Sequence, residues 1–332
     1  MRRFDVAVFG ASISGSAAAT HLASSGWSVL MLQRGKDVER YQSISAETQA
    51  QLARIGVQNG EACPSMTAWW GSSEPRRSPT PGARIVEQSL LAYRLRHLAV
   101  CQGAKFIDLS RDPVVHRSGQ LWSVQWISGS SFEEAQCRHL IDATGRRAFL
   151  ARKQGARQVA VDDLFAISLP IRRTPAPGIW TESAVDGWWN ACCGQRQGTL
   201  SFYSTAASLR ECRRSLRERY TQTRLSTLLP ALMDIDSVQI RACGSARLVP
   251  AAGDGWIAVG DSAWTLQPLA SAGISKALRD GARAAQGLLG AAETYEQLQR
   301  TEFNGYLALL REHYALKERW LQVRTEKAPV LV

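Results

Sequence analysis

The segment from Phe4 to Arg34 constrains the fold more than any other part of this chain. It sets a strand, a glycine turn, a helix and a second strand in immediate succession. Phe4 to Phe9 has the near-continuous apolar character of a short parallel strand. Gly10-Ala-Ser-Ile-Ser-Gly15 follows, then Ala17, Ala18, Ala19, Leu22 and Ala23 on a helix that Ser24-Ser25-Gly26 stops. Ser28 to Leu32 form the second strand, ending at Gln33-Arg34. This is the order of a dinucleotide-binding βαβ unit. Gly10 permits the tight turn, Gly15 lets helix and strand pack closely, and the helix N-terminus faces a pyrophosphate. Two positions depart from the pattern. Ser12 replaces the middle glycine, so its side chain either points away from the phosphates or bonds one. Gln33 stands where a ribose-binding acid is expected; its amide can bond a ribose hydroxyl, but without charge.

A second nucleotide-site signal lies at Gly255 to Leu278. Trp256 to Val259 reads as a buried strand ending in Gly260-Asp261, and Gly273 opens an amphipathic helix with Ile274, Ala277, Leu278, Gly281, Ala285 and Leu288 on one face. The start of that helix suits an anionic cofactor group, and Asp261 can accept hydrogen bonds from a polyol. Alone, this also reads as a strand–loop–helix packing unit; paired with the N-terminus, it favours a nucleotide. Between the two, Arg138 to Ala148 runs a strand into Asp142-Ala-Thr-Gly145. It is either an ordinary strand-end turn or a place where glycine lets the backbone approach a cofactor.

These three motifs, in this order, resemble FAD-dependent oxidoreductases of the p-hydroxybenzoate hydroxylase type, which include aromatic monooxygenases, flavin-dependent halogenases and geranylgeranyl reductases. The resemblance implies that Gly10, Ser12, Ile13, Ser14, Gly15, Gln33 and Arg34 serve the ADP half of FAD. It implies that Gly260 and Asp261 bind the ribityl chain, and that Pro268, Ala272, Gly273 and Ile274 lie by the flavin ring. Gln88, Val114, Ala143, Thr144 and Gly145 complete the expected contacts. Four further segments look like a narrower branch: Ala68-Trp-Trp-Gly-Ser72; Asp186-Gly-Trp-Trp-Asn190 with Gly198 to Tyr203; Gln267 to Ile274; and Tyr306 to Trp320. They are similar to flavoprotein maturases that modify a tryptophan of a partner protein for tryptophylquinone cofactors, serving lysine oxidase, glycine oxidase and quinohemoprotein amine dehydrogenase. Gln267, Ala270 and Ala272 depart from that branch's pattern.

The 332 residues suffice for a large core. The expected fold class is α/β: an FAD-binding Rossmann-type domain (1–55, 84–155 and 244–290) interleaved with an antiparallel-sheet substrate domain (56–83 and 156–243), then C-terminal helices (291–332). No apolar run reaches membrane-spanning length, and Met1-Arg-Arg leads straight into a strand without a signal peptide, which predicts a cytoplasmic protein with no membrane association. Seven cysteines show no metal-ligand spacing, so no metal is expected. Cys192-Cys193 is either redox-active or two small residues on a buried strand. The net charge of +11 comes without a nucleic-acid-binding motif or dense basic run. Attraction to an acidic partner, attraction to an anionic flavin, and an arginine-rich proteome all account for it.

Residues 160–243 break the α/β rhythm. Leu164 to Ile171, Gly178 to Ala184, Trp188 to Cys192 and Gly198 to Ser204 read as antiparallel strands, and Arg210 to Tyr220 as a basic helix. In the resembling fold such a sheet roofs the flavin. Of the eleven tryptophans, Trp69, Trp70, Trp188 and Trp189 are the substrate-chamber candidates; each is otherwise core, and at most one of each pair lines a site. The five histidines are scattered, and no acid–base constellation or convergent charged clamp emerges. The resemblance therefore implies that FAD carries the chemistry, with O2 as co-substrate and electrons from NAD(P)H or from a flavin reductase supplying reduced flavin. The leading expectation is a monooxygenase acting on a tryptophan in the precursor protein of a quinone-cofactor enzyme. The alternatives are a monooxygenase of a small aromatic metabolite, a halogenase and a non-catalytic flavin-binding chaperone.

Overall fold

The computed structural model describes residues 2–315 apart from 59, 72, 73, 129, 173, 175, 213, 214 and 230–238. Its main sheet is parallel at the centre. Arg2–Phe9 lies between Val29–Arg34 and the second half of Ser131–Asp142, both parallel to it. Lys105–Leu109 extends the sheet on one side and Trp256–Ala258 on the other. Val6 to Phe9 are buried because both sheet faces are covered, which is why that strand reads as an unbroken apolar run. The helix Ile13–Ser24 is buried nearly all round, so its small residues serve close packing against Gln88–Cys101 and Gly273–Ala282.

The second sheet has seven strands in the order Gln239–Ala242, Leu164–Ile171, Gly198–Thr205, Gly187–Cys193, Gly178–Ser183, Ser65–Trp69, Arg76–Pro79. It is antiparallel except where Gly178–Ser183 runs parallel to Ser65–Trp69. That pairing brings a strand from far earlier in the chain into the seven-stranded sheet, and adjacency along the sequence gives no sign of it. One face is covered by Leu209, Leu216, Tyr220 and Leu225 of the following helices.

Two helices differ from expectation. Arg210 to Tyr220 is divided between Ala206–Cys212 and Leu216–Thr221, and the helix from Gly273 is interrupted at Arg283, giving Gly273–Ala282 and Ala284–Leu289. Gly281 packs on Ala17 and Ala18 whereas Gly287 packs on Tyr295, so the two halves answer to different partners. Ala292–Ala315 then forms a long helix whose Phe303 and Tyr306 rings flank Trp264. The expected continuation of this helix to Trp320, like Ser72, lies outside the described residues. Among the described residues no helix is long and apolar enough to cross a membrane, and no His/Cys/Asp/Glu cluster could hold a metal.

Candidate active site

The glycine turn is imposed by its neighbours. Gly10 sits at φ +93°, where a Cβ would overlap the Ala143 carbonyl, and a Cβ on Gly15 would overlap the Gly10 carbonyl. Ser12 is the N-cap of Ile13–Ser24 but makes no side-chain capping bond, which leaves its hydroxyl and the first-turn N–H groups to an anionic ligand. Ser14 is buried, and the Ile13 side chain packs beside Ile274 and Leu278.

Gln33 is engaged differently from the ribose contact expected of it. Its Oε1 accepts from the Ala11 N–H at 2.6 Å, and its Nε2 donates to the Gly35 carbonyl at 3.2 Å. The amide thus braces the glycine turn against the strand end. Arg34 reaches Asp112 at 2.6 Å, and Arg147 reaches the same carboxylate at 2.8 Å. Burial pushes Asp112 up, but the two guanidiniums outweigh it and hold the carboxyl below its ordinary range. Val114 begins an exposed strand two residues beyond.

Asp142, fully buried, joins the second and third motifs. Its Oδ1 accepts from the Thr144 N–H at 2.9 Å, the Thr144 hydroxyl at 2.7 Å and the Ser262 hydroxyl at 3.1 Å; its Oδ2 accepts from the Ala151 N–H at 2.9 Å. The Ala143-Thr144-Gly145 turn is therefore locked to the Gly260–Ser262 turn. A Cβ on Gly260 (φ +60°) would crowd Ser14, so that turn lies directly against the start of the first helix. Asp261 is exposed there, with no hydrogen-bond partner among the described residues. Beneath it, Lys276 and Asp280 form a 2.6 Å ion pair with side chains 2% and 1% exposed. Lys276 donates to the Gly260 carbonyl at 2.7 Å, and Asp280 accepts from the Gly260 N–H at 2.9 Å. Both polar groups of one glycine are held by one buried pair.

The arrangement fits FAD. The glycines form a cradle that side chains would fill, Asp261 has no partner among the described residues, and Ala272 caps the Gly273–Ala282 helix without a side-chain bond. Pro268 starts the preceding loop, and Ser271 adopts a left-handed conformation (φ +47°) in it.

The seven-stranded sheet separates each tryptophan pair, since neighbours on a strand face opposite ways. Trp69 and Trp189 turn to the helix-covered face with Phe202 and Tyr220. Trp70 and Trp188 turn to the other, edge-on at 6.1 Å, with Trp188 stacked on Tyr203 at 5.0 Å. This second face packs against Leu269 of the loop following Pro268. Arg241 lies on it beside Ala166, in register with Tyr203. Burial and the nearby charge of Arg40 lower the Arg241 guanidinium, and Arg40 donates to Gln88 Oε1 at 3.2 Å. Arg40 and Arg241 are thus close enough for their like charges to interact. Leu269 also borders a cavity of about 560 Å³ lined by Trp264, Leu266, Lys276, Tyr306 and Leu309.

No protein-family model matches the chain. It is 23% identical over 350 residues to the FAD-dependent oxidoreductase LodB of Marinomonas mediterranea, covering 96% of this chain and 95% of LodB. Among solved structures it superimposes on the flavin-dependent brominase Bmp2 with a TM-score of 0.81 (16% identity, 98% of this chain, 90% of Bmp2). It superimposes on the peptidyl tryptophan dihydroxylase QhpG, essential for tryptophylquinone cofactor biogenesis, with a TM-score of 0.78 (19% identity, 95% and 76%). The chain has the fold of the FAD-dependent halogenase and hydroxylase-like oxidoreductases. Its relatives in sequence and fold are FAD-dependent oxidoreductases and monooxygenases.

Several site residues carried no signal that sequence reasoning used. Lys276 and Asp280 stand four apart on a helix otherwise read for its apolar face, and that spacing alone could have flagged a buried pair. Arg40 and Arg241 are brought in by tertiary structure, and Asp142, which the strand-end motif already contains, takes its role from the Ser262 and Ala151 partners that the fold supplies.

Proposed function

We propose that the chain is an FAD-dependent monooxygenase that hydroxylates a tryptophan side chain of a partner protein during biogenesis of a tryptophylquinone cofactor. The observation that carries this reading is the face of Trp70, Trp188 and Tyr203 set against Leu269, next to the loop expected beside the flavin. Trp188 and Tyr203 are buried, so they back the wall from behind, and the partly buried Trp70 ring is the aromatic surface offered to an indole. Similarity to LodB along almost the full length of both chains and the fold shared with QhpG support the same reading.

Bound FAD would supply the redox and oxygen-transfer chemistry. Asp261 and the helix starting at Gly273 would hold and polarise the cofactor, and the tryptophan face would orient the substrate ring and keep water from it. The substrate is then the precursor protein of a quinone-cofactor enzyme, O2 the co-substrate, and NAD(P)H or a flavin reductase the electron source. The fold shared with Bmp2 favours halogenation as the second reading.

The test combines purified protein, FAD, a reductant, O2 and a candidate precursor protein, with mass spectrometry of the precursor. Oxygen gained on a tryptophan is expected, and Trp70→Ala, which removes the partly buried ring of that face, should abolish it while FAD stays bound. Efficient turnover of free tryptophan with no effect of any precursor would overturn the protein-substrate reading, and a halide-dependent product would replace it with halogenation.

A further inference from the structure

Asp37 follows the second strand by three residues and is mostly buried, its side chain 12% exposed. Its Oδ2 accepts from Arg96 at 2.9 Å, and the same guanidinium nitrogen donates to the Ala11 carbonyl at 3.1 Å. Its other oxygen, Oδ1, is buried without a hydrogen-bond partner among the described residues. A buried carboxylate oxygen left unpaired is costly, and a ligand hydroxyl is the kind of donor that removes the cost. Ala11 links this carboxylate to the glycine turn: its carbonyl is held by Arg96, and its N–H by Gln33. Gln33 has its acceptor on Ala11 and its donor on Gly35.

We infer that Asp37 takes over the task of the missing strand-end acid, with Oδ1 accepting a hydrogen bond from an adenosine ribose hydroxyl of FAD. This rests on the reading of the chain as an FAD protein and assigns the ribose contact to a residue outside the strand-end position. The carboxylate stands four residues beyond the strand-end position, and Arg96 holds it. The Arg96 ring contact with Phe106, at 5.1 Å, keeps that guanidinium in place. A charged acceptor facing a sugar diol discriminates sharply against a sugar lacking hydroxyls, because the deoxy ligand leaves the carboxylate unpaired again.

The experiment is a cycle of two proteins and two ligands, read as apoprotein affinity by flavin fluorescence. The proteins are wild type and Asp37→Asn; the ligands are FAD and its analogue with 2′,3′-dideoxyadenosine. Asp37→Asn should weaken FAD by about tenfold or more and the dideoxy analogue by less than about twofold. Equal weakening of both ligands would make Asp37 a structural anchor for Arg96 and overturn the inference, as would unchanged FAD affinity. If Asp37→Asn does not fold, Asp37→Ser enters the same cycle with the same two outcomes. NADH is titrated in parallel: a loss confined to NADH would assign the residue to the nicotinamide donor and refute the FAD contact. Wild type that binds no FAD at all would instead sink the functional reading.

Discussion

Asp261 stands exposed beside the first helix with no partner among the described residues, so removing its carboxylate should disturb nothing but a ligand. Asp261→Ala is expected to weaken FAD roughly ten- to hundredfold while the apoprotein's unfolding midpoint stays unchanged. Equilibrium titration with FAD and a urea melt together check this. Gln33 behaves in the opposite way, because both ends of its amide hold backbone groups. Gln33→Glu keeps an acceptor for the Ala11 N–H but sets a carboxylate oxygen against the Gly35 carbonyl. Apoprotein stability should fall by about 1 kcal/mol, measured by urea unfolding. Gln267 is a departure from the maturase pattern that the structure explains. It is buried, and its Nε2 donates to Asp162 at 2.7 Å, whereas an acid at 267 would face that carboxylate without a proton between them. The residue types of the site were legible in sequence wherever backbone geometry demanded them, as at Gly10 and Gly15. They were not legible where a side chain's partner comes from another element, as for Gln33 with Ala11 or Gln267 with Asp162.

Among the elements, the Gly273–Ala282 helix depends most on a single interaction. Lys276 and Asp280 are buried one turn apart and together clamp Gly260, with the Lys276 ammonium 4.3 Å from the centre of the Trp264 ring. Truncating one member leaves the other charged and unpaired in the interior. Lys276→Met should therefore cost about 3–5 kcal/mol of stability, and Lys276→Met/Asp280→Leu should recover much of it. Thermal or urea unfolding of the two variants decides; a double variant no better than the single would mean that Gly260, rather than charge burial, governs the loss. The strands here were readable from local sequence, since Val6 to Phe9 is an unbroken apolar run and Ile167, Leu169 and Ile171 alternate onto the helix-covered face. The parallel insertion of Ser65–Trp69 beside Gly178–Ser183 was not, because strand order is set by packing across the fold and leaves no trace in local spacing. The same holds for the break at Arg283, which follows from two glycines docking on different neighbours.

Across the whole molecule, the cysteines report how thoroughly the two sheets are sealed. Cys137 lies in the main sheet and Cys193 in the seven-stranded one, and burial pushes each thiol up to about 12; burial also raises Cys192 well above its ordinary range. This favours the reading of Cys192-Cys193 as small core residues over a redox pair, since a reactive thiol needs its thiolate. The stability consequence has a definite sign. An unfolded thiol releases its proton near pH 9, while the folded one keeps it to about 12. Their full contribution is therefore present below pH 9 and is lost as the pH rises toward 12, on the order of 1.4 kcal/mol per thiol per pH unit within that window. Urea unfolding should show stability level between pH 7 and 8.5 and then falling through pH 10, and Cys137→Ala/Cys193→Ala should make the fall shallower, with Cys192 carrying part of what remains. At pH 8 a thiol reagent should modify the exposed Cys101 first among the described thiols, leaving Cys137, Cys192 and Cys193 protected until the fold opens. Rapid labelling of Cys192 in native protein, located by peptide mapping, would show that the edge of the roof near Cys63 and Ile85 is open to solvent.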